Sequence, residues 1–293
     1  PVDIRWLGYS YIAFRLIHTI RDRQSGRLPA VSLGEYVVYM LFFPTLSAGP
    51  IDRIERFIKD LRQPLDLSID DFLDGSRRII IGMFKKFVIA DALALISINQ
   101  AVVPQTSGDG WLMLMLYAYS FQIFFDFSGY TDIAIGLGRF MGVRLPENFN
   151  RPYRQLNLTQ FWNNWHMTLT QWLRAYVFFP LTRSLRRSSL KLPAWSVILL
   201  TQVVTMALIG LWHGITVGFL IWGLWHGLGL FLQNRWSEWI RPRAAVLNSH
   251  PIGSKILSAS GVLLTFHYVT LGWAWFALPH AGDAWQVLVR LFT

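Results

Sequence analysis

The 293-residue sequence contains no cysteine, which excludes disulfides, thiolate metal sites and a cysteine acyl-enzyme in this chain. Charge is also scarce. Only 15% of residues are Asp, Glu, Lys or Arg, against 53% hydrophobic, a balance found in membrane proteins rather than soluble domains. Acidic residues are the rarer kind, 17 against 27 Lys and Arg, leaving a net charge of +10. In a soluble protein such an excess would raise nucleic acid as a partner. Here the basic residues fall between apolar runs, as in cytoplasmic loops, so membrane lipid headgroups are the expected counter-ions and no nucleic acid is expected. An internal repeat, a low-complexity tract, a signal peptide and an initiator Met are all missing. The opening Pro1-Val2-Asp3-Ile4-Arg5 reads as a fragment whose N-terminal part is absent, with residues 1–293 forming one domain.

Aromatic side chains are plentiful, with 14 Trp, 21 Phe and 10 Tyr. The longest uncharged stretch is residues 192–234, enough for two bilayer crossings at roughly 20 residues each. Its only ionisable groups are His213 and His226. The turn is expected at Trp212-His213-Gly214, because Gly210, Gly214 and Gly218 weaken a continuous helix and permit close backbone approach. An ionisable side chain in apolar surroundings is costly and marks a candidate functional site. The alternative is a neutral histidine bonded to a backbone carbonyl. The basic residues Arg183, Arg186, Arg187 and Lys191 before the stretch, and Arg235, Arg241, Arg243 and Lys255 after it, predict that both its ends are cytoplasmic.

Other segments fit a polytopic membrane protein. Residues 4–20, broken by Arg5, Arg15 and His18, read as a weak span or the inner end of one. Residues 36–51 are uncharged and end in Pro44 and Pro50, which predicts a segment that enters the membrane and breaks. Ile54, Phe57, Ile58 and Leu61 recur at helical spacing opposite Arg53, Glu55, Arg56, Lys59 and Asp60, predicting a short interfacial helix lying on headgroups. A long helix is expected over residues 72–98 after a cap at Ser68, with Arg77, Arg78, Lys85 and Lys86 snorkelling or staying cytoplasmic, then a turn at 104–110. Residues 111–125 are uncharged and lead into Asp126 and Asp132, two carboxylates that are expensive in lipid unless they face protein or water. Pairing with an arginine such as Arg139 or Arg144, or helix capping, would account for them.

After Asn157, a predicted N-cap, Phe161, Trp162, Trp165, Leu169, Trp172, Leu173 and Tyr176 recur at three- and four-residue steps. His166 belongs to the same face and is expected to point inward on a helix ended by Pro180. A buried structural histidine would satisfy the same pattern. Residues 256–282 form a further uncharged run, with Gly272-Trp273-Ala274-Trp275 as an interfacial anchor. Metal binding has little support, since His213 and His226 are not at i, i+4 and no carboxylate lies beside them. A neutral imidazole in a low-dielectric pocket can instead serve as a general base.

The motifs Phe161-Trp162-Asn163-Asn164-Trp165-His166-Met167-Thr168-Leu169-Thr170, Leu211-Trp212-His213-Gly214 and Trp222-Gly223-Leu224-Trp225-His226-Gly227 resemble the successive signatures of the membrane-bound O-acyltransferases. Residues 42–53 are similar to the D-alanyl transfer branch, and residues 125–132 and 146–153 to the alginate O-acetyltransferase branch. The resemblance implies an all-α, polytopic integral membrane protein with a central tunnel, short interfacial amphipathic helices and re-entrant segments. It implies His213 as the catalytic histidine, His166 as the second polar position and Trp162, Trp165, Trp212, Asp126 and Asp132 along a substrate tunnel. The expected activity moves an acyl group, acetyl ahead of D-alanyl, from a thioester of coenzyme A or an acyl carrier protein to a hydroxyl of an envelope glycan or of an extracytoplasmic acyltransferase partner. The setting would be the bacterial cytoplasmic (inner) membrane, with no tightly bound cofactor and no metal. The rivals are an ion-coupled transporter, for which broken helices and intramembrane carboxylates are also suited, and a non-catalytic scaffold of an envelope-modification complex.

Overall fold

Apolar runs punctuated by capping residues fold here entirely as helices. The computed structural model describes residues 8–65, 67–106 and 108–293, with side chains undescribed at 245–248. Among the described residues there is no strand, and the α-helices are α1 (Tyr9–Gln24), α2 (Leu33–Met40), α3 (Ile54–Leu61), α4 (Ile69–Phe84), α5 (Asp91–Ala94), α6 (Asp109–Phe140), α7 (Leu158–Asn164), α8 (Met167–Leu173), α9 (Phe179–Arg187), α10 (Ala194–His213), α11 (Val217–Asn248), α12 (Pro251–Ala277) and α13 (Ala281–Arg290). Wider π-helical turns follow α4 at Lys85–Ala90 and α8 at Arg174–Phe178. Both predicted caps form: Ser68 Oγ accepts the Asp71 N–H at 3.1 Å and Asn157 Oδ1 accepts the Gln160 N–H at 2.9 Å. A full capping box at Ser32 and Glu35 also starts α2, fixing two otherwise orphaned N–H groups.

The chain divides into two compact units. The first holds residues 1–91, 123–149 and 167–169. Its core joins Tyr39 and Phe42 to Ile54, Phe57 and Ile58 of α3 and to Ile135, Val143 and Leu145. That corrects the headgroup-bound reading of α3: Ile54, Phe57 and Ile58 are at most 2% exposed, so its apolar face is already covered by protein. Residues 4–7 of the expected weak span lie outside the described residues, and Arg15 lies within the continuous helix α1. It is buried, and its guanidinium donates to the carbonyls of Tyr39 and Met40 at 2.8 Å each and of Thr45 at 3.1 Å. These carbonyls flank the place where α2 stops and a 3₁₀ turn, Phe43–Thr45, begins; Arg15 supplies donors that the interrupted helix cannot. The predicted helix over 72–98 starts three residues earlier and ends at Ala94. A Cβ on Gly82 would stand 2.6 Å from the Gly129 carbonyl oxygen, so α4 and α6 cross at backbone contact through small residues.

The second unit holds residues 92–122, 150–166 and 170–293. Helices α10 and α12 are long and apolar enough to cross a membrane. The turn between α10 and α11 falls immediately after His213, as the glycine pattern predicts. A Cβ on Gly223 would stand 2.4 Å from the Met206 carbonyl oxygen, so only glycine lets α11 lie this close to α10. Two expectations change here. Trp273 and Trp275 are buried, with Trp273 stacked on Trp222 at 5.7 Å; they are core residues, not interfacial anchors. Pro180 does not end the helix. It sits in the first turn of α9 directly after the π-helical turn, where the widened hydrogen bonding accommodates its missing N–H.

Candidate functional site

The single helix expected over 157–176 is broken at its histidine. Trp165 closes α7 in extended conformation and His166 takes φ 43°, ψ 54° before α8 begins. A non-glycine residue in the left-handed region is strained, and such strain gathers at functional sites. The break changes what the side chain meets, because His166 no longer follows the stripe of Trp162 and Leu169. It is 3% exposed, and its ring lies 6.1 Å from that of Trp212.

His213 arrives from the other direction, as the last residue of α10. Its ring centroid is 4.5 Å from Trp212, 4.8 Å from Phe276, 5.5 Å from Trp222 and 6.1 Å from Phe219, yet the residue is exposed. Trp212 thus contacts both imidazoles. Two residues 47 positions apart in sequence meet at one aromatic ring. An exposed imidazole in an aromatic collar can take and return a proton at a hydroxyl that reaches it, and a second imidazole beside it can donate to a developing negative charge.

The remaining expected site residues separate into two groups. Trp162 packs edge-on against Trp222 at 5.7 Å and His226 at 5.0 Å, within the same aromatic region. Trp165 instead lies among Phe161, Tyr153 and Trp273 at 5.4–5.7 Å and is structural in its contacts. Asp126 and Asp132 belong to the first unit and are neither helix caps nor partners of Arg139 or Arg144. Lys85 Nζ donates to Asp132 Oδ2 at 2.6 Å and Arg78 Nη1 to Asp132 Oδ1 at 3.2 Å, while Lys86 pairs with Asp126 and Arg78 also with Glu147. Arg78, Lys85 and Lys86 are thus each held by a carboxylate. The π-helical turn starting at Lys85 places two consecutive lysines where each can reach a carboxylate six residues apart on α6.

A cavity of about 260 Å³ lies in the second unit, lined by Trp162, Thr170, Arg174, Gln202, Met206 and Leu230 among others. It has apolar walls with a few polar groups, the usual make-up of a small-molecule site. Sequence reading missed it, and missed Trp222 and Phe276 as neighbours of His213. The i, i+4 pair Trp222 and His226 was the available signal for a shared helix face. Among the described residues no group of three or more His, Asp or Glu could hold a metal ion.

A helical membrane-type chain with two histidines brought together at a helix end defines a class, and comparison with known proteins names it. The chain belongs to the membrane-bound O-acyltransferase family (MBOAT), whose profile matches residues 14–265. It is 35% identical over 289 residues to the protein named "Probable alginate O-acetylase AlgI" of Pseudomonas aeruginosa, covering 98% of this chain and 51% of that one. It is 31% identical over 292 residues to a teichoic acid D-alanyltransferase of Streptococcus thermophilus, covering 96% of this chain and 70% of that one. It is 34% identical over 260 residues to a peptidoglycan O-acetyltransferase of Helicobacter pylori, covering 87% and 46%. The chain therefore spans about half the length of the alginate and peptidoglycan relatives it matches.

Proposed function

We propose that this chain is the catalytic part of a bacterial membrane O-acyltransferase that moves an acetyl group from a thioester to a hydroxyl of a cell-envelope polymer or of a partner protein that passes it on. The observation that carries the reading is the meeting of His166 and His213 on Trp212, with His213 exposed at the end of α10. The names of the relatives support the substrate class, since they act on alginate, teichoic acid and peptidoglycan.

In this reading the acceptor hydroxyl gives its proton to the free ring nitrogen of His213 as its oxygen attacks the thioester carbonyl carbon. His166 donates to the carbonyl oxygen while negative charge builds there. The carbon–sulfur bond then breaks, and His213 returns the proton to the departing thiolate, so that one ester and one thiol leave and the imidazole is restored. General-base assistance of this kind is worth about two to four orders of magnitude in rate, and an oxyanion donor about two to three. The donor, acetyl-coenzyme A or a carrier-protein thioester, is a substrate and not a resident cofactor. The cavity beside Trp162 is its compartment, because it offers apolar length with a few polar contacts. The protein sits in the inner membrane as a multi-pass helical body, with α10 and α12 among its crossings, and works with an extracytoplasmic acyltransferase or directly on a glycan. D-alanine is the alternative acyl group, supported by the 31% identity to a D-alanyltransferase.

The test is to express wild type and His213→Ala in cells lacking the gene and to quantify ester-linked acetyl and D-alanyl groups on envelope polymers by mass spectrometry. Acetyl esters that appear with wild type and vanish in the variant, at equal membrane protein level, support the reading. Esters undiminished in the variant remove His213 from the chemistry, and D-alanyl esters alone would reassign the acyl group.

A further inference from the structure

At the break between α7 and α8, a distant residue does what a helix cap would do. The first N–H groups of any helix lack partners inside it, and His166, in the capping position, makes no side-chain bond to them. Asn148 takes them instead. Its carbonyl oxygen accepts the Met167 N–H at 2.9 Å, and its side-chain Oδ1 accepts the Thr168 N–H at 3.2 Å and the Thr168 hydroxyl at 2.8 Å. Both side chains are closed to water, Asn148 being 0% exposed and Thr168 4%.

These bonds compete with the continuous helix that the sequence periodicity favours over 157–176. In such a helix the Met167 N–H would reach the Asn163 carbonyl and the Thr168 N–H the Asn164 carbonyl. Asn148 holds both N–H groups, and the Asn164 carbonyl accepts the Asn150 N–H at 3.0 Å, so donors and an acceptor of the missing helical turn are engaged elsewhere. The Asn148 bonds lie within the first unit and the Asn150 bond within the second. Asn148 is held in turn: Glu147 pairs with Arg78 of α4, and Phe149 packs edge-on against Phe124 and Phe127 of α6 at 5.7 and 5.1 Å.

We propose that Asn148 is a positioning residue for His166: it keeps the chain broken there and so keeps the imidazole off the stripe of Trp162 and Leu169. This rests on the acyltransferase reading above. The Met167 N–H belongs to the peptide that leaves His166. Gripping it sets rotation about the His166 Cα–C bond and holds the residue at φ 43°, ψ 54°, a region that a non-glycine residue leaves when nothing restrains it. Asn148 acts through that backbone and has no part in the proton transfers. Capping from a distance also spares the His166 side chain the local bond that Ser, Asp or Asn would make in its place, which leaves the imidazole for the carbonyl oxygen of the thioester.

The test measures initial rates of ester formation, per unit of membrane protein, in cells lacking the gene that carry the full-length protein or its variants. Asn148→Leu keeps the volume but removes the accepting oxygen, and should slow transfer about thirtyfold through misplacement of His166. Asn148→Asp keeps that oxygen and should retain about a third or more of the wild-type rate. His166→Gly should be about one hundredfold slower than wild type. Adding Asn148→Leu to His166→Gly should cost less than about twofold more, since no imidazole is left to place. A merely structural asparagine would instead cost the same factor in both backgrounds. Should Asn148→Leu fail to accumulate, Thr168→Val, which deletes one of the two bonds that Oδ1 accepts, is read in the same cycle; its loss of about threefold should disappear beside His166→Gly. An undiminished rate in the Leu or Val variant, an Asp variant as slow as the Leu one, or losses that multiply with His166→Gly overturn the positioning role and leave the acyltransferase reading standing. A His166→Gly protein as fast as wild type overturns it too, while loss of ester formation in His213→Ala still supports that reading. Wild type without ester formation overturns both.

Discussion

Asp132 on α6 is held by Arg78 and Lys85, and Asp126 by Lys86, whereas His226 on α11 is ringed by Trp162, Trp222, Tyr268 and Trp273 and bonds to none of them. Both are ionisable groups placed in apolar stretches. The first region resolves its electrostatics internally: three cations and three carboxylates, Glu147 included, neutralise one another. The second offers donors and acceptors that its own residues leave unanswered. The difference separates carboxylates whose charge is answered by protein cations from an imidazole enclosed by aromatic rings, and it argues against a carrier whose coupling-ion site would be these carboxylates, since protein cations already occupy them.

The comparison breaks most visibly at the histidines. His213→Ala should lower acyl transfer by about three orders of magnitude with protein level unchanged, whereas Asp132→Asn should keep more than half of the activity when corrected for protein amount, both read from ester content per unit of membrane protein. An Asp132→Asn enzyme that is present at normal level but inactive would move the carboxylates into the site. His166 comes next. His166→Gly removes the imidazole but suits the left-handed backbone, and His166→Ala removes it while keeping the strain; both should lose about one hundredfold in rate, with the Ala protein less stable by about 1 kcal/mol in a detergent unfolding assay. Equal stability of the two would mean that the backbone at 166 is not held as described. Asp132→Asn leaves Lys85 without its carboxylate in a partly buried position and should cost about 1–2 kcal/mol of stability, measurable in the same assay.

The smallest effect lies at the exposed capping box. The Arg62 guanidinium, donating to Glu35 at 2.6 and 3.0 Å, and then the Ser32 N–H, hold the Glu35 carboxyl down at about 2. A carboxyl whose value is depressed on folding stabilises above its unfolded value and loses that contribution as pH falls through the folded one. The Glu35→Gln variant should therefore fall below wild type at neutral pH and converge with it as pH drops from about 4.5 toward 2. A gap that stays constant across that range would show that the carboxylate charge is not what matters there.

Much of this was legible in the residues. The uncharged stretch 192–234 announces a hairpin, its glycines announce the bend, and Ser68 and Asn157 announce helix starts, because each depends on a few neighbours in sequence. The pairing of His166 with His213 came from family likeness, and no periodicity could supply it. Three things were not legible. The break at His166 runs against a perfect helical stripe, since a left-handed residue follows from tertiary context and not from local propensity. The partners of Asp126 and Asp132 come from α4 and the π-helical turn after it, about forty residues or more away, while sequence proximity pointed to Arg139 and Arg144. The burial of α3 and of Trp273 was hidden because an amphipathic face looks the same whether lipid or protein covers it.

The wider turns at Lys85–Ala90 and Arg174–Phe178 each lodge one residue more than an α-helical turn requires, which rotates everything downstream by about 100°. At these two places the length of the chain carries information that its composition does not. A single-residue deletion at Lys85–Ala90 would leave a more regular helix one side chain shorter, and would turn the following segment to a different neighbour. Alignments that treat such a gap as neutral would miss a change in which residues face the interior.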